Sequence, residues 1–342
     1  MLLATGLLTA CTADDGGSDV PDGGQGANGT QQTEITLHAD VHRMVEGTRA
    51  TTIDNATGLQ AQDIRIDAYF HGTGTAYLDG VKLHYDTDAW KFWAASAETH
   101  YYWPIEGSVY DPSSANITVS SLDFVGYCPY TQPDYITSGP SYDHTTGITF
   151  TSSLISPTDY MTAASQASMT EYICTILDGQ TYATQTANGG ALPLLLRHPF
   201  ARIRFQLAAS HPDITINSIT FKHLKTAGFC TLSPAGNATW TSLTPAEGGT
   251  DFVLTLTGDA AVFNNNPAAT RQIGEYYLMI PQDWAGEIEV DADCLFWGEK
   301  INYPSLTTTV PTAWQPGYSY TYTFNISPDD LRVDTAKYTE QW

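Results

Sequence analysis

The sequence carries many groups capable of chemistry: 37 acidic residues, 9 histidines and 5 cysteines in 342 residues. Very few stand in a pattern that chemistry requires. His38 and His42 are four apart, which would align two imidazoles on a helix. Here they fall on the polar face of an alternating stretch, where a solvated pair is expected rather than a metal site. Asp291 and Asp293 lack the remaining ligands of a calcium loop, and Asp329-Asp330 reads as a turn. Cys128, Cys174, Cys230 and Cys294 have spacings that fit no zinc pattern. Most of these cysteines sit in apolar or aromatic surroundings, which suits buried free thiols. There is no Gly-x-Ser-x-Gly elbow, no phosphate-binding glycine loop and no His-Glu-x-x-His. Paired carboxylates for glycoside hydrolysis have material to draw on, but nothing singles out any pair. The reading is therefore of a non-enzyme, with no catalytic, cofactor-binding or metal-ligating residue assigned.

Cys11 is different, because its context is ordered. The run Leu2 to Ala10 is apolar and small and ends at this cysteine, like the h-region of a secretory signal. It is too short to span a bilayer. It lacks a basic n-region, so translation could begin a few codons upstream. Leu8-Thr9-Ala10-Cys11 resembles a bacterial lipobox, in which the cysteine is acylated and becomes the first mature residue. The rival is an ordinary signal peptide with an incidental cysteine. Asp14-Asp15 resembles the surface-export signal of Bacteroidetes lipoproteins. The expected organisation is thus a lipoprotein signal over 1–11 and a flexible tether over 12–33, rich in Gly, Asp, Asn and Gln. An envelope location would permit disulfides, with three pairings of the other four cysteines.

The remainder must supply the folded body. Length allows about two domains. Net charge is -23, which repels nucleic acid and anionic membrane surfaces. The 20 Tyr, 12 Phe and 8 Trp beside abundant Thr give a β-rich profile. Ile35, Leu37, Ala39 and Val41 alternate with polar residues, the signature of a strand buried on one side. Alternation recurs at 64–70, 201–207, 252–256, 288–292 and 318–326, with turn signals at Asp79-Gly80, Gly248-Gly249 and Pro316-Gly317. A short helix is expected only around Thr158–Ser168. The fold class is all-β, with two β-sandwich domains in tandem. The N-terminal sandwich takes 34–191 and the C-terminal one 192–342.

Several segments in order resemble the fimbrillin family of Bacteroidetes, the subunits of type V pili. They begin with Trp90, then Tyr101-Tyr102-Trp103-Pro104 and Phe124-Val125-Gly126-Tyr127-Cys128-Pro129. Asp159 to Ala163, His198-Pro199-Phe200-Ala201-Arg202-Ile203 and Ile219-Thr220-Phe221 with Gly228 and Trp240 follow. Leu278-Met279-Ile280-Pro281-Gln282 and Trp314-Gln315-Pro316-Gly317-Tyr318-Ser319-Tyr320 close the series. The resemblance implies two transthyretin-like sandwiches. It also implies a route: export as a lipoprotein to the outer membrane and cell surface, a cut by an arginine-specific protease, and polymerisation with other fimbrial subunits. The Arg49-Ala50 bond sits where that cut is expected. The rival is a plain loop arginine, and Arg43 lies too close to the strand.

Physics gives the resemblance a mechanism. Removal of strand 35–42 would leave a groove with an apolar floor and unpaired backbone groups along its rim. A strand from a second copy would refill it by β-augmentation, and a head-to-tail transfer of this kind builds a filament. The candidate donor is 330–342, with Leu331 and Val333 alternating and Tyr338 and Trp342 as further anchors. The rival is that this segment simply closes the second sandwich. In the resembling family, C-terminal strands fill the groove. A different function class also fits a tethered β-sandwich: a surface glycan-binding lipoprotein, with Trp90, Trp93, Tyr101, Tyr102 and Trp103 as a stacking platform. Host or bacterial surface ligands are partners open to either reading.

Overall fold

The computed structural model describes residues 33–41, 53, 56–110, 117–154, 171–209, 211–245, 251–256, 258–264, 268–296, 299–327 and 330–341. Cys11, Arg43, Arg49, Ala50, Trp342, the Gly248-Gly249 turn signal and the helix expected at 158–168 lie outside them. The described chain is all-β, a set of sheets packed as a β-sandwich fold.

The largest sheet is antiparallel and has the order β11-β8-β2-β3-β4-β5. Its strands are β2 (Ile64–Phe70), β3 (Ala76–Asp86), β4 (Ala89–Ala94), β5 (Ala97–Glu98), β8 (Leu122–Cys128) and β11 (Ile173–Gln180). Beside it, β1 (Leu37–Val41) pairs in parallel with β12 (Leu192–Leu196). A small hairpin joins β6 (Val109–Tyr110) and β7 (Ile117–Thr118). These elements share one apolar core, built from Ile35, Leu37, Val41, Ile64, Ile66, Phe124 and Leu194 among others.

A second sheet runs β16-β15-β10-β9, from β9 (Ile136–Asp143), β10 (Gly147–Ser153), β15 (Lys225–Leu232) and β16 (Ala238–Pro245). It draws strands from both sides of residue 191. Its core, around Tyr127, Phe150, Tyr172 and Phe200, draws residues from the chain spans of both other cores. The third core is the aromatic interior of two facing sheets. One has the order β19-β13-β22-β23, from β13 (Ala201–Leu207), β19 (Arg271–Met279), β22 (Tyr318–Ser327) and β23 (Asp330–Gln341). The other is β17-β14-β20-β21, from β14 (Asp213–Phe221), β17 (Phe252–Thr255), β20 (Asp283–Phe296) and β21 (Glu299–Ala313), with β18 (Val262–Phe263) also on β14. Phe205 meets Phe221 at 5.6 Å between ring centroids, and Trp284 stacks on Trp314 at 5.9 Å. Such offset and tilted contacts are the favoured aromatic geometries.

Two details depart from the sequence expectation. Asp79-Gly80 does not end a strand; β3 runs through it with a shift in register against β2. Gly80 takes a positive φ of 63° and donates its N–H to the Asp67 carboxylate, so the pair makes a bulge rather than a turn. The described helices are also elsewhere than expected: α1 (Ala56–Gln60) and α2 (Tyr182–Ala187), with a 3-10 turn at Gly258–Ala261. Thr181 caps α2 reciprocally with Thr184, which satisfies two orphan donors at the helix start.

Candidate functional site

The first strand occupies a fitted slot. Ile35, Leu37, Ala39 and Val41 are 1%, 2%, 5% and 2% exposed, while His38 and Asp40 between them face solvent. The alternation read from sequence is thus realised side chain by side chain. One flank of the strand is the parallel ladder to β12, from Leu37 opposite Leu192 to Val41 opposite Leu196. The other flank, ahead of β1, is a short antiparallel contact with 101–103. There Ile35 donates its N–H to Tyr101 O at 2.7 Å, and Trp103 donates to Thr33 O at 2.8 Å.

Gln185, from α2, pins the start of this strand. Its Oε1 accepts from Thr36 N–H at 3.0 Å and from Trp103 Nε1 at 3.0 Å. Its Nε2 donates to Glu34 O at 2.9 Å. Gln185 is itself buried, so these bonds exchange with no water. His100 adds an exposed contact, Nδ1 to Glu34 Oε1 at 2.7 Å, and that bond raises the His100 pKa above its ordinary value. Neither Gln185 nor His100 stood out in the sequence. The only local sign was the Thr181-x-x-Thr184 cap, which announces the helix that carries Gln185. Past Thr33 the slot opens into a cavity of about 210 Å³, with Trp103, Val119, Leu122, Ile105 and Tyr182 on its walls. Ile105 and Tyr182 are exposed there.

The candidate donor segment forms β23, antiparallel to β22 and last in its sheet. Leu331 stands opposite Ile326, Val333 opposite Phe324 and Tyr338 opposite Ser319. Val333 is half-buried against the aromatic core. The slot and this strand are therefore separate in one copy of the chain.

Two of the five aromatics read as a glycan platform are taken into the core, and Trp93, Tyr101 and Tyr102 are half-buried. Trp90 and Trp103 are buried core residues, and Tyr101 packs edge-on against Phe92 at 5.1 Å. Trp93 leans on His84 at 5.0 Å. Asp291 and Asp293 each accept from an asparagine, Asn217 and Asn302, which is a sheet-surface role. Cys128, Cys174, Cys230 and Cys294 are buried free thiols. Burial pushes the Cys174 thiol up to about 12 and Cys294 up to about 11, which suppresses the reactive thiolate.

The sequence model of the fimbrillin-like family matches residues 48–342. The chain belongs to the fimbrillin-like family. Among solved structures, this fimbrillin-like chain is similar to a fimbrial protein from Bacteroides vulgatus, with a TM-score of 0.59 at 12% identity, over 90% of this chain and 99% of that one. It is also similar to a proposed cell adhesion protein from Bacteroides ovatus, with a TM-score of 0.50 at 14% identity, over 89% and 96%. At these identities the likeness is one of fold. No curated protein matches the sequence. Family membership supports a role as a fimbrial subunit in a cell-surface appendage. Among the described residues, no helix is long and apolar enough to cross a membrane.

Proposed function

We propose that this fimbrillin-like chain is the precursor of a structural or adhesive fimbrial subunit that polymerises by strand exchange. It is exported as a lipoprotein, anchored in the outer membrane through acylated Cys11 and displayed on the tether 12–33. An arginine-specific protease cuts after Arg49, and the new chain begins at Ala50. Strand 35–41 then leaves, and the C-terminal segment 330–342 of another subunit takes its slot, with Leu331, Val333, Tyr338 and Trp342 as anchors. The boundary expected at 191 falls inside shared sheets, since β12 pairs with β1 and β15 with β10; the acceptor slot and the donor strand instead belong to different apolar cores.

The observation that carries this reading is the burial of Ile35, Leu37, Ala39 and Val41 in a slot whose backbone ladders lie on other segments of the chain. Loss of that strand would uncover pockets worth about 1.5–3 kcal/mol for each larger side chain, along with unpaired ladder groups. The start of the family match at residue 48, beside the proposed cut, supports the same division. The net charge of -23 discourages chance association and leaves the slot as the specific contact.

N-terminal sequencing of fimbriae sheared from cells tests the proposal. A start at Ala50, with Arg49→Ala material accumulating uncut and unpolymerised, supports it. Fimbriae that retain residues 35–41, or trimmed protein that never grows into polymers, overturn it.

A further inference from the structure

At one end of the largest sheet, three neighbouring strands bring together groups that the slot does not use. His71 follows the last residue of β2, Asp123 is the second residue of β8, and Asp178 lies near the end of β11. In the sheet these strands run β11-β8-β2, so all three side chains come from adjacent positions. His71 Nδ1 is 2.7 Å from Asp123 Oδ1 and 3.3 Å from Asp178 Oδ1. One ligand atom from each residue lies within 4.8 Å of the other two. Bonds of about 2.0–2.2 Å from a metal ion to nitrogen or oxygen set neighbouring ligands about 3–3.5 Å apart. The 3.3 Å separation is of that size, and the 2.7 Å hydrogen bond would have to open by only a few tenths of an ångström to reach it.

The backbone is shaped to produce this arrangement. The β11–β8 register shifts between Leu177 and Gln180, so Asp178 and Gly179 form an irregularity opposite Asp123. Gly179 sits at a φ of +62° and donates its N–H to Asp123 Oδ1 at 2.7 Å. Bulges of this kind re-aim side chains at strand ends.

The charge arrangement leaves room for a cation. The Asp123 side chain is fully buried, and its second oxygen, Oδ2, has no hydrogen-bond partner among the described residues. Among those residues neither Asp123 nor Asp178 pairs with a lysine or arginine; His71 is the only basic partner within salt-bridge distance. Tyr142, from β9 in the facing sheet, and His144 stand near the pair, and the Tyr142 hydroxyl faces Asp123 as a neutral donor too loosely placed to complete Oδ2. A buried carboxylate with a bare oxygen, beside a second carboxylate, is costly unless a cation or further donors complete it.

We propose that His71, Asp123 and Asp178 form a binding site for a divalent transition-metal ion of the zinc class. An imidazole nitrogen with two carboxylates suits zinc and its first-row neighbours better than calcium or magnesium, which prefer all-oxygen cages. Metal binding replaces the His71–Asp123 hydrogen bond: Nδ1 gives up its proton, to solvent from an imidazolium or by exchange to Nε2 from a neutral ring, and both groups turn to the ion. The bound ion ties the ends of β2, β8 and β11 together, and its remaining coordination positions stay open to water.

The test is calorimetric titration of Zn²⁺ into the full chain, in two buffers of different ionisation enthalpy, with a thermal melt alongside. The His71 and Asp178 side chains are 41% and 47% exposed, so His71→Ala and Asp178→Asn keep the fold, which circular dichroism checks. One saturable site is expected, with a raised melting temperature, weakened at least about 100-fold in either variant. Asp123→Asn should abolish it. Absence of saturable binding to folded wild-type chain overturns the proposal. So does a site that survives in both exposed-residue variants, or equal competition by Ca²⁺ or Mg²⁺.

Discussion

Gln185 offers a sharp test of how the first strand is held. Its amide makes three hydrogen bonds, to Thr36 N–H, Trp103 Nε1 and Glu34 O. Gln185→Ala removes all three and leaves two donors and one acceptor without their partner. An orphaned buried polar group costs about 1–3 kcal/mol, so the uncut chain should lose about 3–6 kcal/mol, with partial hydration pulling toward the lower figure. The same substitution in a chain that begins at Ala50 meets a different situation. Thr36 and Glu34 are then absent, only Trp103 Nε1 loses its partner, and the cost should fall to about 1–2 kcal/mol. The two costs, each measured by urea denaturation against its own parent and followed by tryptophan fluorescence, should differ by at least about 1 kcal/mol. Hydrogen exchange at Thr36 should accelerate in uncut Gln185→Ala while β13 and β22 stay protected. Equal costs in the two backgrounds would refute the idea that Gln185 acts chiefly on the removable strand.

Leu37→Ala should destabilise the uncut chain by about 2–5 kcal/mol through lost burial and a residual cavity, whereas exposed His38→Ala should stay within about 0.5 kcal/mol; similar urea midpoints for both would contradict the slot. The His100–Glu34 bond raises the native His100 pKa, so its stabilisation is complete below the unfolded histidine value of about 6.5 and fades as pH climbs through the raised native value. His100→Gln should therefore cost more at pH 5 than at pH 8, and an NMR titration of His100 at or below the free-histidine value would count against the contact. Cys128, Cys174, Cys230 and Cys294 should resist iodoacetamide in the native protein and react once it is denatured in urea; fast native labelling at any of them would show that the site is not buried.

What the sequence disclosed and what it hid follow from how many faces of each strand are covered. β1 was legible because one face meets solvent: Ile35, Leu37, Ala39 and Val41 alternate with polar partners, and the burial follows that alternation. β8 reads Leu-Asp-Phe-Val-Gly-Tyr-Cys and is buried at every position, because its two faces serve two different cores. No period of two survives there, and Asp123 looks like an ordinary strand aspartate until β2 and β11 are laid beside it. Gly80 was misread for a related reason. Asp-Gly is a turn signal in isolation, but the Asp67 carboxylate on β2 captures the Gly80 N–H and turns the dipeptide into a bulge. The latch was hidden most deeply, since Gln185 and Thr36 are separated by 149 positions and neither residue type is unusual.

The same separation bears on how a well-seated strand could leave, as the proposed route requires. Among the described residues, the backbone ladders of this strand run to distant segments, a parallel one to β12 and a short one ahead of it at 101–103. Parallel ladders are slightly weaker per residue than antiparallel ones. The main-chain link between β1 and the body runs through 42–52, where Arg49 lies. While that link is intact, the strand's effective concentration at the slot is high, as for any tethered segment. A cut at Arg49 would leave the contacts unchanged but abolish that advantage. β1 would then dissociate at the rate its hydrogen bonds and four buried side chains allow, and a competing strand would meet a vacant slot. On this argument the protease supplies no energy to assembly. On the proposed route it would remove an entropic advantage, and Gln185 and the apolar face of β1 would then govern how quickly the slot opens.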